Sequence, residues 1–281
     1  GIIIPPSHNM IIYAVAAGGS LSISKLFLAG FFPGVVMCLC LAAVSYIVAV
    51  KRGYTSEKFP GLIILSKHFI TALPGLLTAV IIVGGVLSGI FTVTESGAFG
   101  AIYAFFATII VYRALTWKKF KQAVTSAVRT TSMVMILIAC SGAFAYLLTF
   151  YQVPTKMSSF LMSISDKPFV ILLMINLMLL FLGMIMDMAA LILICTPIFL
   201  PIATSIGVDP YQFGMLLMMN LGLGLCTPPV GSVLFVGCAV GGVRLEDAVK
   251  TIWPFYLAIL IALLFVTFVP AISLTLPNLV G

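Results

Sequence analysis

Gly224-Leu225-Cys226-Thr227-Pro228-Pro229-Val230-Gly231 places two consecutive prolines inside an apolar stretch that runs from 211 to 243. Proline has no N–H to continue a helix, and its ring clashes with the carbonyl one turn back. The carbonyls around Gly224 to Thr227 are therefore expected to lose their helical partners. In hydrocarbon such groups persist only where protein, water or a cation satisfies them. The half-helix ending there points its negative end inward, and the one beginning near Pro229 presents its positive end, so the break predicts a cation cradle beside an anion-binding N-terminus. Gly224 permits close approach and Thr227 adds a hydroxyl oxygen. An all-oxygen set suits a hard alkali cation, with sodium the natural candidate.

The surrounding chain is built for hydrocarbon. Of 281 residues, 62% are hydrophobic and 7% charged, against about 25% charged in soluble domains. Apolar runs fall at 8 to 18, 26 to 50, about 71 to 92, 96 to 115, 131 to 150, 168 to 186, 189 to 206, 211 to 226, 230 to 243 and 252 to 275. Leu26 to Val50 is the cleanest match to the roughly 20 residues that a spanning helix needs. A net charge of +7 raises the question of nucleic acid, but the cations stand in short clusters between apolar runs and form no basic face, so no nucleic-acid partner is expected. Six cysteines lie inside apolar segments without C-x-x-C or metal-ligand spacing and read as small core residues. The chain opens Gly1-Ile2-Ile3-Ile4-Pro5-Pro6, with no initiator Met and no basic n-region. This is no signal peptide, and it reads as a piece of something longer.

Eleven of the fourteen Lys and Arg fall in three loops: Lys51, Arg52, Lys58 and Lys67; Arg113, Lys118, Lys119, Lys121 and Arg129; Arg244 and Lys250. Positive-inside bias puts all three in the cytoplasm, with Lys156, Asp209 and the C-terminus outside. The forty residues from Pro168 to Ile206 are long enough for two antiparallel helices. Charge alone does not separate two full spans from a re-entrant hairpin tipped near Asp187.

Residues 1 to 19 laid on 224 to 242 without gaps share Gly1/Gly224, Pro5 and Pro6/Pro228 and Pro229, Ala16/Ala239, and Gly18 and Gly19/Gly241 and Gly242. Pro33 then pairs with Pro254 once the second connector is shortened by two residues. The charge-derived topology runs the two copies in opposite directions. Inverted repeats with interrupted helices mark many secondary transporters, which bind substrate and ions where the helices break. By the repeat, Gly1, Ile4 and Pro6 offer carbonyls equivalent to those of the second break, and two similar sites imply two ions.

Asp187, in Met186-Asp187-Met188, is the only acid between Asp166 and Asp209. A carboxylate at depth is costly and points to function, with a hairpin-tip cap as the alternative. Glu95, after Thr92, fits a cap on the following helix. His8 and His68 have no partner spacing for a metal or a dyad, and no Ser-His or Ser-Lys pairing in the spans offers a nucleophile and base, so no enzyme is expected.

Five motifs in one order carry a resemblance: G-I-I-I-P-P-S with M-I-I-Y (Gly1 to Tyr13), L-F-L-A-G-F-F-P-G (Leu26 to Gly34), S-G-I-F-T-V-T-E (Ser88 to Glu95), T-P-I-F-L-P-I (Thr196 to Ile202) and G-L-C-T-P-P-V-G (Gly224 to Gly231). Over essentially its whole length the chain resembles the large membrane subunit of tripartite ATP-independent periplasmic (TRAP) transporters. It departs at Val93, Ser96 and Gly97, where the family usually has Pro and small Ala residues. Such subunits also carry a further stretch before the first G-x-x-x-P-P, with a first re-entrant hairpin.

The resemblance implies an all-α polytopic inner-membrane protein with inverted repeats and elevator movement. It implies sodium-driven import of a carboxylate, of the sialic acid or C4-dicarboxylate class. A periplasmic binding protein delivers the substrate, and a small membrane subunit, separate or fused, extends the scaffold. The alternative is an ion-coupled carboxylate symporter of the same superfamily working without a binding protein. Carried over residue by residue, one sodium site falls on Gly1, Ile4 and Pro6, and another on Gly224, Thr227 and Val230. The substrate vicinity falls on Met186, Asp187, Met188, Ser7 and Pro229. The expected division is 1–25, first interrupted helix; 26–67 and 68–130, scaffold; 131–167, connecting span; 168–206, second hairpin; 211–243, second interrupted helix; and 244–281, C-terminal scaffold span.

Overall fold

The computed structural model describes residues 2–54, 61–229 and 231–280, and among these all regular structure is helical. In chain order the helices are α1 (His8–Ala16), α2 (Ile23–Ala29), α3 (Phe31–Lys51), α4 (Leu62–Leu87), α5 (Val93–Phe106), α6 (Trp117–Phe150), α7 (Val153–Ile164), α8 (Pro168–Gly183), α9 (Met188–Ser205), α10 (Pro210–Leu225), α11 (Ser232–Gly241), α12 (Leu245–Phe268) and α13 (Pro270–Val280). Six stretches among the described residues are long and apolar enough to cross a membrane: Ile23–Lys51, Leu62–Leu87, Val93–Val111, Trp117–Phe150, Met188–Ser205 and Leu245–Phe268.

Local chemistry sets several boundaries. Thr92 and Glu95 form a reciprocal capping box at the start of α5, with the Thr92 N–H donating to Glu95 Oε2 at 2.8 Å, as their spacing predicted. Asp209 accepts from the Tyr211 N–H at 2.8 Å, and Pro210 supplies the first residue of α10. Two stretches differ from the sequence reading. The stretch between the apolar runs 131 to 150 and 168 to 186 contains α7, whose Met157, Phe160, Leu161 and Ile164 recur at helical spacing in a segment too short to register as a span. The expected single segment 252 to 275 divides at Val269, because Pro270 cannot donate to the helix before it and opens α13 instead.

The chain forms two compact units, one from the residues up to Lys51 together with Val134 onward, the other from Arg52–Met133. In the second unit α4 packs on α5. There Ser96, fully buried, donates to the Ile82 carbonyl at 2.6 Å, which explains a polar residue in that seam. After α5 a π-helical turn spans Ala107–Val111.

The first unit is organised around α10, of which every residue except Pro210, Tyr211 and Gly222 is buried. It packs against α8, α9, α12 and α13, while α1 packs on α9 and α3 packs along α12. A polar seam ties α10 to its neighbours: Asn220 Nδ2 donates to Asn176 O and Oδ1, both at 2.8 Å, and Asn176 Nδ2 donates to Thr267 Oγ1 at 3.3 Å. Gln212 Nε2 donates to the Thr267 carbonyl at 2.9 Å. Such interhelical hydrogen bonds offset part of the cost of leaving amides unpaired in apolar surroundings, although the buried Asn220 Oδ1 has no partner among the described residues.

The repeat has structural counterparts. Each Pro-Pro pair is followed by a short helix, α1 or α11, then a connector and a long helical stretch carrying Pro33 or Pro254. Both Pro5-Pro6 and Pro228-Pro229 are cis.

Candidate functional site

The α8–α9 hairpin turns over Met184–Asp187, and the second break lies against its first arm. Gly183 and Gly224 face each other where α8 crosses α10: a Cβ added to Gly224 would stand 2.6 Å from the Gly183 carbonyl carbon and 2.7 Å from its Cα. Gly231 N–H donates to the Met184 carbonyl at 3.4 Å, so the break and the turn also share a backbone hydrogen bond. Gly224 was expected to open the backbone to an ion. Its position shows a second use, the closest helix crossing beside the break.

Fewer carbonyls are free here than proline chemistry alone suggests. Thr227 N–H donates to the Gly224 carbonyl at 2.9 Å, and Tyr256 donates its hydroxyl to the Cys226 carbonyl. Thr227 Oγ1 donates to the Leu223 carbonyl at 2.7 Å. That last bond bears on cation binding, because it turns the hydroxyl proton into the helix and leaves the oxygen lone pairs facing away. Thr227 and Pro228 also line a cleft of about 480 Å³ with Met184, Leu223, Trp253 and Tyr256, which is almost wholly apolar. Pro229 is exposed beside it, and Val230 lies outside the described residues.

The first break is built in a related way. Ser7 is 2% exposed and donates to the Ile2 carbonyl at 2.6 Å, again committing the hydroxyl proton to a nearby carbonyl. Ile2 in turn reaches α10, since a Cβ on Gly222 would meet its Cδ1 at 3.5 Å. Ile4 is half exposed, and Gly34 on α3 makes room for it, a Cβ there standing 2.6 Å from Ile4 Cγ1. Pro6 is exposed, and Gly1 lies outside the described residues.

Besides the second break, the first half of the repeat touches the hairpin turn. Asn9, buried at the start of α1, donates from Nδ2 to Met188 Sδ at 3.3 Å. Met188, also buried, is the first residue of α9. The turn therefore has the second break at its α8 end and the start of α1 at its α9 end. Of the turn residues, Met186 and Asp187 are exposed, and Asp187 caps α9 by accepting from the Ala189 N–H at 3.1 Å. Gly183, Asn9 and Tyr256 were missed in the sequence. An Asn immediately after a Pro-Pro-Ser-His break was the one visible signal, a polar residue at the head of an apolar helix.

The oxygens at the two breaks come from hydroxyls and backbone carbonyls, and among the described residues no three of His, Cys, Asp and Glu converge. That donor set fits a hard cation and gives nothing to a soft one.

A helical hairpin bordered by two Pro-Pro breaks, in a chain with six candidate spans, defines a multi-pass membrane protein built on interrupted helices. The chain belongs to the family described as "Tripartite ATP-independent periplasmic transporter, DctM component", whose model matches residues 1–272. Membership of that family is what its motifs suggested. It is 40% identical over 281 residues to the C4-dicarboxylate TRAP transporter large permease protein DctM of Pseudomonas aeruginosa, covering 100% of this chain and 65% of that protein. It is 37% identical over 279 residues to the sialic acid TRAP transporter large permease protein SiaM of Vibrio cholerae, covering 99% of this chain and 65% of that one. With the isethionate TRAP transporter permease protein DctMQ of Oleidesulfovibrio alaskensis it shares 38% identity over 275 residues, 98% of this chain and 43% of that protein. The chain spans about two-thirds of the length of most of the curated large permeases that it matches.

Proposed function

We propose that the protein containing this chain imports an organic acid across the bacterial inner membrane, coupled to sodium and supplied by a periplasmic binding protein. The observation that carries the reading is the hydroxyl at the second break. Thr227 spends its proton on the Leu223 carbonyl, so it keeps an oxygen for a cation. Sodium held at Gly224, Thr227 and Val230 neutralises the end of α10, and a second at Gly1, Ile4 and Pro6 does the same for the first break. The substrate carboxylate is held close by, among Ser7, Pro229 and the turn residues Met186, Asp187 and Met188. The names of two relatives support the carboxylate class, C4-dicarboxylates and sialic acids, while that of the isethionate relative, named for a sulfonate, supports only the wider class of organic acids. A small membrane subunit, separate or fused, completes the scaffold.

The moving part of the elevator comprises 1–25, 168–206 and 211–243, with the α8–α9 hairpin entering the bilayer from one side and returning to it. At about 1.5 Å per residue, the 16 residues of α8 are shorter than the hydrocarbon, which supports a re-entrant arm. The loops at Lys51, Lys118 and Arg244 face the cytoplasm, and the C-terminus faces the periplasm.

The test is uptake into proteoliposomes by the full-length permease with its small subunit and binding protein, using C4-dicarboxylates and sialic acids as substrates. Saturable uptake that collapses with the sodium gradient is expected. Uptake indifferent to sodium would overturn the coupling, and uptake without the binding protein would favour the symporter reading.

A further inference from the structure

Helix α6 is longer than a membrane needs. Its 34 residues extend about 50 Å at 1.5 Å per residue, whereas about 30 Å of hydrocarbon requires roughly 20. The surplus is at the start, Trp117 to about Thr131, and its side chains are sorted by face. At roughly 100° per residue, Trp117, Phe120, Val124 and Val128 fall within an arc of about 80°, Lys118, Lys119 and Arg129 fall on the opposite side, and Lys121 borders the apolar stripe beside Val128. The apolar stripe has little cover: Trp117 is 78% exposed, Val124 46% and Val128 60%. The charge is one-sided as well, since no Asp or Glu occurs between Glu95 and Asp166. Lys119 donates to the Ala114 carbonyl at 3.1 Å, which fixes one ammonium beside the start of the helix.

Beneath this segment lies a cleft of about 340 Å³ between α5 and α6, lined by Ala104, Phe105, Thr108, Phe120, Ala123 and Ala127 among others. Phe105 and Phe120 meet edge to face at 5.6 Å, and Trp117 stacks on Phe120 at 5.6 Å, so an aromatic cluster stands at one end of the cleft. Small alanines leave the space that these rings do not fill.

We propose that this part of the chain is a binding site for an anionic phospholipid, with one acyl chain in the cleft between α5 and α6 and the phosphate headgroup on the lysines at the start of α6. Charge complementarity selects the headgroup, since the four cations lie within one half of the helix and the segment itself carries no carboxylate. The aromatic and apolar stripe selects a lipid over a soluble polyanion, because Trp and Phe are placed at the boundary between headgroup and hydrocarbon. Continuity supplies the partner, because the same helix goes on from this segment into its apolar portion, so the bilayer surface lies against it.

The experiment is native mass spectrometry of the detergent-purified full-length permease, titrated with phosphatidylglycerol and with phosphatidylcholine of identical acyl chains. Phosphatidylglycerol is expected to bind more tightly, by about fivefold for each lysine engaged, the factor that one cation near an anionic surface contributes. The triple variant Lys118→Gln, Lys119→Gln, Lys121→Gln should erase that preference while keeping the wild-type melting temperature. Ala104→Leu, which fills the cleft, should weaken both lipids alike. A wild-type protein with no preference, or a triple variant that keeps it, would overturn the proposal. Competition by glycerol phosphate at millimolar concentration would also overturn it by marking a free-anion site, as would protection of these lysines from amine labelling by the bound small subunit in delipidated complex, which would mark a protein interface.

Discussion

Gly224→Ala tests whether the second break depends on the crossing of α8 and α10. The added methyl would stand 2.6, 2.7 and 3.0 Å from the carbonyl carbon, Cα and oxygen of Gly183. Ordinary contact begins near 3.5 Å, so the two backbones must part by close to 1 Å. No side chain can rotate away, because every obstructing atom is main chain. Overpacking of this kind costs about 1–3 kcal/mol, and at about 2–4 °C per kcal/mol for a protein of this size the apparent melting temperature should fall by several degrees. Gly183→Ala makes an internal control of smaller size, since its Cβ meets the Gly224 Cα at 3.2 Å and requires only a few tenths of an ångström. The assay is thermal unfolding of the purified permease in detergent, read in parallel with sodium-dependent uptake. If Gly224→Ala melted with the wild type, or Gly183→Ala proved the worse of the two, the close crossing would be wrong.

Thr227→Val keeps the side-chain shape but loses the hydroxyl oxygen, and it should move the sodium dependence of uptake rightward by about tenfold to a hundredfold, the equivalent of roughly 1–3 kcal/mol. Thr227→Ser should restore most of the loss, and an unmoved curve for both would place the coupling ion elsewhere. Asp187→Asn should leave the melting temperature unchanged because Asn caps equally well, whereas Asp187→Ala should cost about 1 kcal/mol. Uptake measured on the Asn variant at saturating and limiting sodium then reports any role of the charge, and normal uptake at both would leave Asp187 as a cap alone. Asn220→Leu strands the Asn176 side-chain oxygen and should destabilise by about 0.6–1.7 kcal/mol, measured by the same melts. Single cysteines at Lys156 and Lys118 should label from outside and from inside respectively, and the reverse pattern would invert the proposed topology.

What the sequence made readable is what short stretches decide for themselves. Thr92 and Glu95 are three residues apart, and their reciprocal cap needs no other part of the molecule. The two Pro-Pro breaks and their following short helices were visible for the same reason, because a missing N–H acts within one turn. The cast around the breaks was not visible. Tyr256 reaches Cys226 across 30 residues, Asn9 reaches Met188 across 179, and Gly183 meets Gly224 only because two helices cross there. None of these pairs has a local signature. The hidden α7 has another cause: its amphipathic face is short and carries Lys156, so a search for long apolar runs passes over it.

Helix α10 has a bearing on how the protein is made. Its 16 residues include Gln212, Asn220 and three glycines, and it is not among the stretches apolar and long enough to span a bilayer, yet it is the most thoroughly enclosed helix of the first unit. A translocation pore that sorts nascent segments by their own hydrophobicity has little reason to release such a helix into lipid. Its amides find partners on α8, already synthesised, and on α12, still to come. Biogenesis then has to keep α10 waiting at the pore or in an aqueous vestibule until α12 emerges, and the seam of Asn176, Asn220, Gln212 and Thr267 can close only at that late step.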